Sequence, residues 1–187
     1  MAEGTDEQVA VRVQQGESDL FGVLIERYQA KLSRYARKFL FDLDDAADVV
    51  QDVFIKAYEN IQSFDPSRKF SPWIYRIAHN EFVNALKKRT ASRTIFAFDL
   101  DTLVPHLAAP ETADSAALER DLRATLEKHL EKLGAKYREP VILYYLEGMD
   151  YREISEVLHI PVSTVGVRLA RARTALQRFS ASHTDLV

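Results

Sequence analysis

Two short helical patterns meet at a proline between Asp150 and Phe179, and few folds accommodate that arrangement. Asp150 and Glu153 have the spacing of a capping box, an N-cap oxygen with an acid three residues on, so a helix starts there. Ile154, Val157 and Leu158 give it one apolar stripe. It stops at His159-Ile160-Pro161, because proline disfavours helical geometry in the residue before it yet fits the first turn of a new helix. Pro161 therefore opens a second helix, with Val165, Leu169, Ala172 and Leu176 on one side and Arg168, Arg171, Arg173 and Arg178 spread over the rest. A short helix, a tight turn and a basic second helix make a helix-turn-helix pattern, whose second helix can lie in a DNA major groove.

The rest of the chain is also helical in period. After a short polar lead, Leu20, Phe21, Leu24, Ile25, Tyr28, Leu32, Tyr35, Ala36 and Phe39 recur three and four apart and predict an amphipathic helix. Asp42 or Asp44 can cap the next one, running to about Ile61, with Val49, Val50, Val53, Phe54, Ala57 and Ile61 inward. Its other side carries Asp44, Asp48, Gln51, Asp52, Lys56 and Glu59, with Ile55 an apolar residue among them. Ser63 to Phe70 reads as a loop from its Asp-Pro and its polarity. Ser71 followed by Pro72 is an N-cap with proline at the first helical position. Beyond it Ile74, Ile77, Ala78, Phe82 and Ala85 share one face, and Arg76, Asn80, Asn84 and Lys87 project from nearly the opposite side. Residues 91 to 117 lose periodicity and read as a linker. A leucine row from Leu118 to Leu133 predicts a further helix ended by Gly134, and another spans about Tyr137 to Glu147, with Pro140 in its first turn and Gly148 as its stop. With only 6 glycines and 6 prolines in 187 residues, the chain is all-α.

Charge distribution narrows the function. The net charge of −3 argues mildly against a nucleic-acid binder, but the average hides blocks. Residues 40–65 sum to −6, 66–93 to +6, 94–122 to −5 and 151–179 to +3. Alternation of this kind suggests two DNA-facing surfaces and at least one surface for something else. The absence of cysteine excludes disulfides and thiolate metal sites and fits a reducing compartment. No apolar run approaches the ~18 residues of a membrane span, and the first residues lack a signal pattern. A soluble, cytoplasmic protein without membrane insertion is the expectation.

Catalytic readings are weak. Asp44, Asp48 and Asp52 could be read as a metal site, but hard cations usually need six or more oxygens from several elements, and a solvated helix face accounts for the row. Glu156 and His159 form a single Glu-x-x-His with no second copy. No nucleophile elbow accompanies the 5 histidines. The row Arg76, Asn80, Asn84 and Lys87, continued by Lys88 and Arg89, points instead to DNA, since amides can read base edges while cations neutralise phosphates. Phe64, Phe70 and Trp73 beside those cations suit unstacked single-stranded bases, although Phe70 and Trp73 taken singly fit a core better than a base. A plain helix-turn-helix repressor with a sensing first domain is the main alternative. An acidic helix followed by an aromatic and basic loop has no use in such a repressor.

The stretch DDAADVVQDVFIKAYENI from Asp44 to Ile61, followed by FDPSRKFSPWIYRIAHNEFVNALKKR, resembles region 2 of bacterial RNA polymerase sigma factors of the extracytoplasmic-function (ECF) type, and residues 137 to 179 resemble their region 4. The resemblance implies two small helical domains, a region 2 bundle over 1–92 and a region 4 domain over 115–187, joined by a flexible linker over 93–114. It implies a non-enzymatic initiation factor without metal or cofactor, which binds core RNA polymerase through the β′ clamp helices and the β flap, and promoter DNA, and is held in check by an anti-sigma factor. By residue, Asp48, Gln51, Asp52 and Ile55 would meet the clamp helices. Phe64, Ser67, Arg68, Lys69 and Phe70 would capture a flipped base of the minus 10 element. Asn80 and Asn84 would read neighbouring bases while Arg76, Lys87 and Lys88 hold phosphates. Ser163, Thr164, Val167, Arg168 and Arg171 would contact the minus 35 element. This chain departs from the family pattern at two positions. His159 stands where glycine is common, which asks the histidine to take a positive φ or the turn to loosen. Gly166 stands inside the recognition helix, where it is expected to remove a side chain from the DNA face.

Overall fold

The computed structural model describes residues 4–40, 46–92 and 129–184. The expected caps at Asp42 and Asp44, the linker over 93–114 and the helix start near Ser115 lie outside the described residues. Among the described residues there are seven helices and no strand, gathered into an N-terminal and a C-terminal compact unit.

The N-terminal unit begins with a helix where the sequence suggested only a polar lead. Helix α1, Asp6–Gln14, is started by a complete capping box between Thr5 and Gln8, and it buries Val9, Ala10 and Val13. Helix α2, Phe21–Leu40, buries Leu24, Tyr28, Leu32, Tyr35, Ala36 and Phe39, following the predicted spacing of three and four. Helix α3, Ala46–Glu59, ends two residues earlier than expected, and Ile61 is buried in a 3-10 turn over Ile61–Ser63. Helix α4, Phe70–Ser92, follows the loop and starts at Phe70, so Ser71 lies inside the helix and is not its N-cap as expected. Helices α2, α3 and α4 pack on one another, and α1 lies against α2 and α4.

An aromatic cluster fills the centre of this unit. Tyr35 stacks on Tyr75 at 5.6 Å and meets Phe82 edge-on at 4.8 Å, while Tyr28 meets Phe70 at 5.5 Å. Burying each such side chain contributes about 1.5–3 kcal/mol, and well-oriented ring pairs add about 0.5–1.5 kcal/mol. The Tyr28 hydroxyl donates to Asp6 at 2.6 Å, and Arg27 donates to the same carboxylate at 2.8 Å. These bonds fix α1 to α2.

In the C-terminal unit a 3-10 turn over Leu130–Lys132 leads to helix α5, Ala135–Val141. Gly134 does not end a helix in the left-handed conformation; at φ −59 it caps the start of α5, its carbonyl accepting from Tyr137 and Arg138. Pro140 lies in the second turn of α5, not in the first. Proline has no N–H to donate to the carbonyl four residues back, and directly after it the helix widens into a π segment, Ile142–Leu146. Gly148, at φ +71, stops this segment as expected. Helix α6, Tyr151–Leu158, and helix α7, Val162–Thr184, complete the unit.

The α6–α7 turn forms as the sequence suggests. The Glu153 N–H donates to Asp150 and the Asp150 N–H to Glu153, both at 2.9 Å, closing the capping box. His159 takes φ +53, the left-handed conformation that glycine would adopt without strain. The Ser155 hydroxyl donates to the Ile160 carbonyl at 2.6 Å and holds the turn shut. Val165, Leu169, Ala172 and Leu176 are all buried.

Candidate partner and nucleic-acid surfaces

On α3 the spacing of Asp48, Gln51, Asp52 and Ile55 puts four side chains in one stripe, and all four are exposed. Ile55 is 48% exposed and Tyr58, one turn on, 46%. Both belong to a groove of about 770 Å³ between α2 and α3, lined also by Phe21, Ile25, Phe54 and Ala47, with Asp48 and Gln51 among its polar residues. Exposed apolar side chains flanked by carboxylates form a surface suited to another protein's helix. Ile25 belongs to the apolar row read for α2 and Tyr58 to no residue set read from the sequence; only the packing places both at this groove.

The loop after α3 corrects the aromatic reading. Phe64 and Phe70 are buried, at 3% and 0% exposure, and pack on each other at 5.3 Å and on Trp73 at 5.5 and 5.3 Å. Together they form the floor under the loop. Ser67, Arg68 and Lys69 are exposed above them. Asp65 shapes this tip, accepting from the Ser67 hydroxyl at 2.7 Å and from its N–H at 3.0 Å. These hydrogen bonds hold the Asp65 carboxyl below the usual carboxylate range. On α4, Arg76, Asn80, Asn84, Lys87 and Lys88 are all exposed, giving a row of cations and amides beside the loop.

On α7 the outward centre is Ser163 and Val167, the latter 43% exposed, with Val162 beside them at 42%. Thr164, Arg168 and Arg171 are half-buried along the flank. Arg171 donates to the Tyr137 hydroxyl at 3.4 Å, so part of its guanidinium is committed to α5. Arg173 reaches the Tyr151 hydroxyl at 3.4 Å on the other flank. Gly166 also faces that flank: a Cβ built there would lie 3.6 Å from Cε2 of Tyr151. The missing side chain is thus missing from the contact with α6 and not from the exposed centre of the helix.

Residues 24–92 match the family model Sigma-70 region 2, and residues 123–176 match Sigma-70, region 4. The chain belongs to the ECF sigma factors of RNA polymerase. It is 34% identical to the ECF RNA polymerase sigma factor SigW of Bacillus subtilis, over 89% of this chain and 92% of that one. It is 33% identical to the ECF RNA polymerase sigma-E factor of Haemophilus influenzae, over 92% of this chain and 94% of that one. Among solved structures it resembles CnrH in complex with the cytosolic domain of CnrY, with a TM-score of 0.68 at 29% identity, covering 96% of this chain and 99% of that one. It also resembles the sigma factor RpoE of Bartonella quintana in complex with the anti-sigma factor NepR, with a TM-score of 0.63 at 26% identity, covering 84% and 94%. As an ECF sigma factor the chain is a transcription initiation factor that directs RNA polymerase to promoters. No helix among its described residues is long and apolar enough to cross a membrane.

Proposed function

We propose that this sigma factor divides its work among three surfaces. The α3 stripe of Asp48, Gln51, Asp52 and Ile55, with the groove beside it, docks on the β′ clamp helices of core polymerase. The loop tip of Ser67, Arg68 and Lys69 and the α4 row of Arg76, Asn80, Asn84, Lys87 and Lys88 hold the minus 10 element, with Phe64 and Phe70 shaping the loop from beneath. Ser163, Thr164, Val167 and Arg168 face the minus 35 element, and Arg171 divides its guanidinium between Tyr137 and DNA. The observation that carries this reading is the separation of chemistries within one compact unit: apolar and acidic exposure on α3, cationic and amide exposure on α4. Phosphate neutralisation needs the second; a protein partner with a basic helix needs the first.

The domain division follows as 1–92 for region 2, 93–114 for the linker and 115–187 for region 4. The protein catalyses no reaction itself. Strand opening draws on binding energy at the loop, where an extruded base is held. The region 4 unit also meets the β flap, and an anti-sigma factor covers the same surfaces in the inactive state. Such a protein works in the cytoplasm, where core polymerase is found. Asp52→Arg tests the reading. The substitution reverses an exposed charge with no described role in the core, so the fold is retained by circular dichroism and co-purification with core polymerase is lost. Undiminished co-purification would refute the assignment.

A further inference from the structure

Helix α1 has no part in the three surfaces above, yet it is bonded to the loop at both of the loop's ends. The Gln14 side-chain amide donates to the Ile61 carbonyl at 2.8 Å and to the Phe64 carbonyl at 2.9 Å. Both partners are carbonyl acceptors, so only the NH₂ end of the side chain satisfies them. In return the Gln62 side chain donates to the Gln14 carbonyl at 3.0 Å. At the far end the Glu7 carboxylate accepts the Phe70 N–H at 3.0 Å, at the first residue of α4. That N–H has no partner within α4, so an anion at this helix start satisfies it and complements the helix dipole. Burial alone would raise the Glu7 pKa, but the Phe70 N–H, its own backbone and Thr5 outweigh it, so the carboxyl lies below the ordinary glutamate range and is ionised at neutral pH. Asp6, bonded to Arg27 and Tyr28, anchors the same helix to α2.

We infer that α1 is a clamp for the minus 10 loop, in which Gln14 and Glu7 are positioning residues that hold Ile61, Phe64 and Phe70 so that Ser67, Arg68 and Lys69 are presented in one geometry before DNA arrives. A loop held in its binding conformation loses less entropy on binding. The effect of the clamp is therefore largest in the step where the loop captures a base from duplex DNA. This inference rests on the promoter-opening role proposed above for the loop.

The test uses holoenzyme assembled from core polymerase and full-length Gln14→Ala, Gln14→Glu or Glu7→Gln protein. Gln14→Glu keeps the size of the side chain but replaces both donors with acceptors facing two carbonyls, whereas a merely space-filling Gln14 would tolerate it. Both Gln14 variants are expected to slow open-complex formation on a duplex promoter by on the order of tenfold, equivalent to about 1.4 kcal/mol in the barrier. Glu7→Gln, still an acceptor, should have a smaller effect. On a template whose minus 10 region is already unpaired, all three should match the unsubstituted protein, and core affinity should not change. Trp73 is the only tryptophan and packs on Phe64 and Phe70, so its acrylamide quenching in the free protein reports loop order without polymerase, and it should rise in the Gln14 variants. Equal rates on duplex, or an equal defect on both templates, would overturn the clamp. Unchanged Trp73 quenching would do so too, whatever transcription shows. If the unsubstituted holoenzyme opened no promoter while Gln14→Ala still raised quenching, the promoter-opening role would fail while α1 kept its hold on the loop.

Discussion

Gly166→Ala is expected to stabilise this protein, contrary to what glycine in a recognition helix first suggests. The glycine sits inside α7 in ordinary helical conformation, not among the glycines of positive φ. An added Cβ meets one atom, Cε2 of Tyr151, at 3.6 Å, an ordinary van der Waals contact. The sterically allowed methyl group therefore brings the full propensity difference between alanine and glycine, about 0.8–1.0 kcal/mol, much of it from the narrower unfolded ensemble. One contact at that distance adds only ~0.1–0.2 kcal/mol. The sum is about 1 kcal/mol, which for a unit of this size raises the melting temperature by roughly 4–8 °C. Scanning calorimetry of the full chain would show the shift in the transition that carries region 4. Because the Cβ faces α6, affinity for a minus 35 duplex should stay within about twofold, a difference well under 1 kcal/mol. An unchanged or lowered transition would refute the steric argument. A raised transition with binding lost more than tenfold would show that the position touches DNA after all.

Substitutions at two further positions, one strained and one hydrogen-bonded, test the packing of each unit. His159→Gly removes a left-handed non-glycine residue, a relief of about 1–2 kcal/mol, against roughly 0.4–1 kcal/mol of added unfolded-state entropy. A net gain of about 0.5–1 kcal/mol should appear as a higher denaturant midpoint, and His159→Val, β-branched, should shift it the other way. Tyr28→Phe deletes a buried hydroxyl that donates to the Asp6 carboxylate. Hydrogen bonds to charged groups contribute about 1.5–3 kcal/mol, and since Asp6 keeps Arg27, a loss of ~1.5 kcal/mol is expected at constant urea m-value; a loss below ~0.5 kcal/mol would contradict it.

What the sequence makes legible here is what rests on local pattern. The capping box at Asp150, the proline turn and the apolar rows of α2 and α7 are set by neighbours within a few residues, and all form as their spacing implies. At His159 the sequence leaves two outcomes, a positive φ or a looser turn, and the structure takes the first, at φ +53. Misreadings occur where partners are distant. Helix α1 carries only Val9, Ala10 and Val13 as buried apolar residues, too few for a convincing stripe, although Thr5 and Gln8 have the capping-box spacing that marked its start. In sequence Phe70 fits a core better than a base when taken singly, while Phe64 in a polar loop reads as a base contact because nothing local shows what it packs on. Only the packing of Tyr28 and Trp73 against them decides. Pro140 and Gly134 were misplaced for a third reason, since a proline inside a helix signals a break, and the π segment that accommodates this one leaves no mark in composition.

The arrangement of the N-terminal unit also bears on how docking and DNA contact are coupled. Helix α3 runs from the Asp48 stripe directly into the 3-10 turn at Ile61, and the loop follows without an intervening flexible segment. Lys56 on α3 bonds Glu81 on α4 at 2.6 Å, and the interiors of both helices, Val53, Ala57, Ile74 and Ala78, are fully buried. A partner that holds α3 therefore fixes the α4 row and the base of the loop as well, because a close-packed interior transmits position instead of absorbing it. If α3 docks as proposed, no conformational change within this unit is needed to align the loop with the promoter. Docking affinity and promoter opening should accordingly respond separately to substitution: changes on the α3 stripe act on the first, changes at Gln14 on the second. A single residue on the α3 stripe whose replacement slowed opening at saturating core polymerase would show that the unit deforms on docking, and would replace this rigid coupling with an induced one.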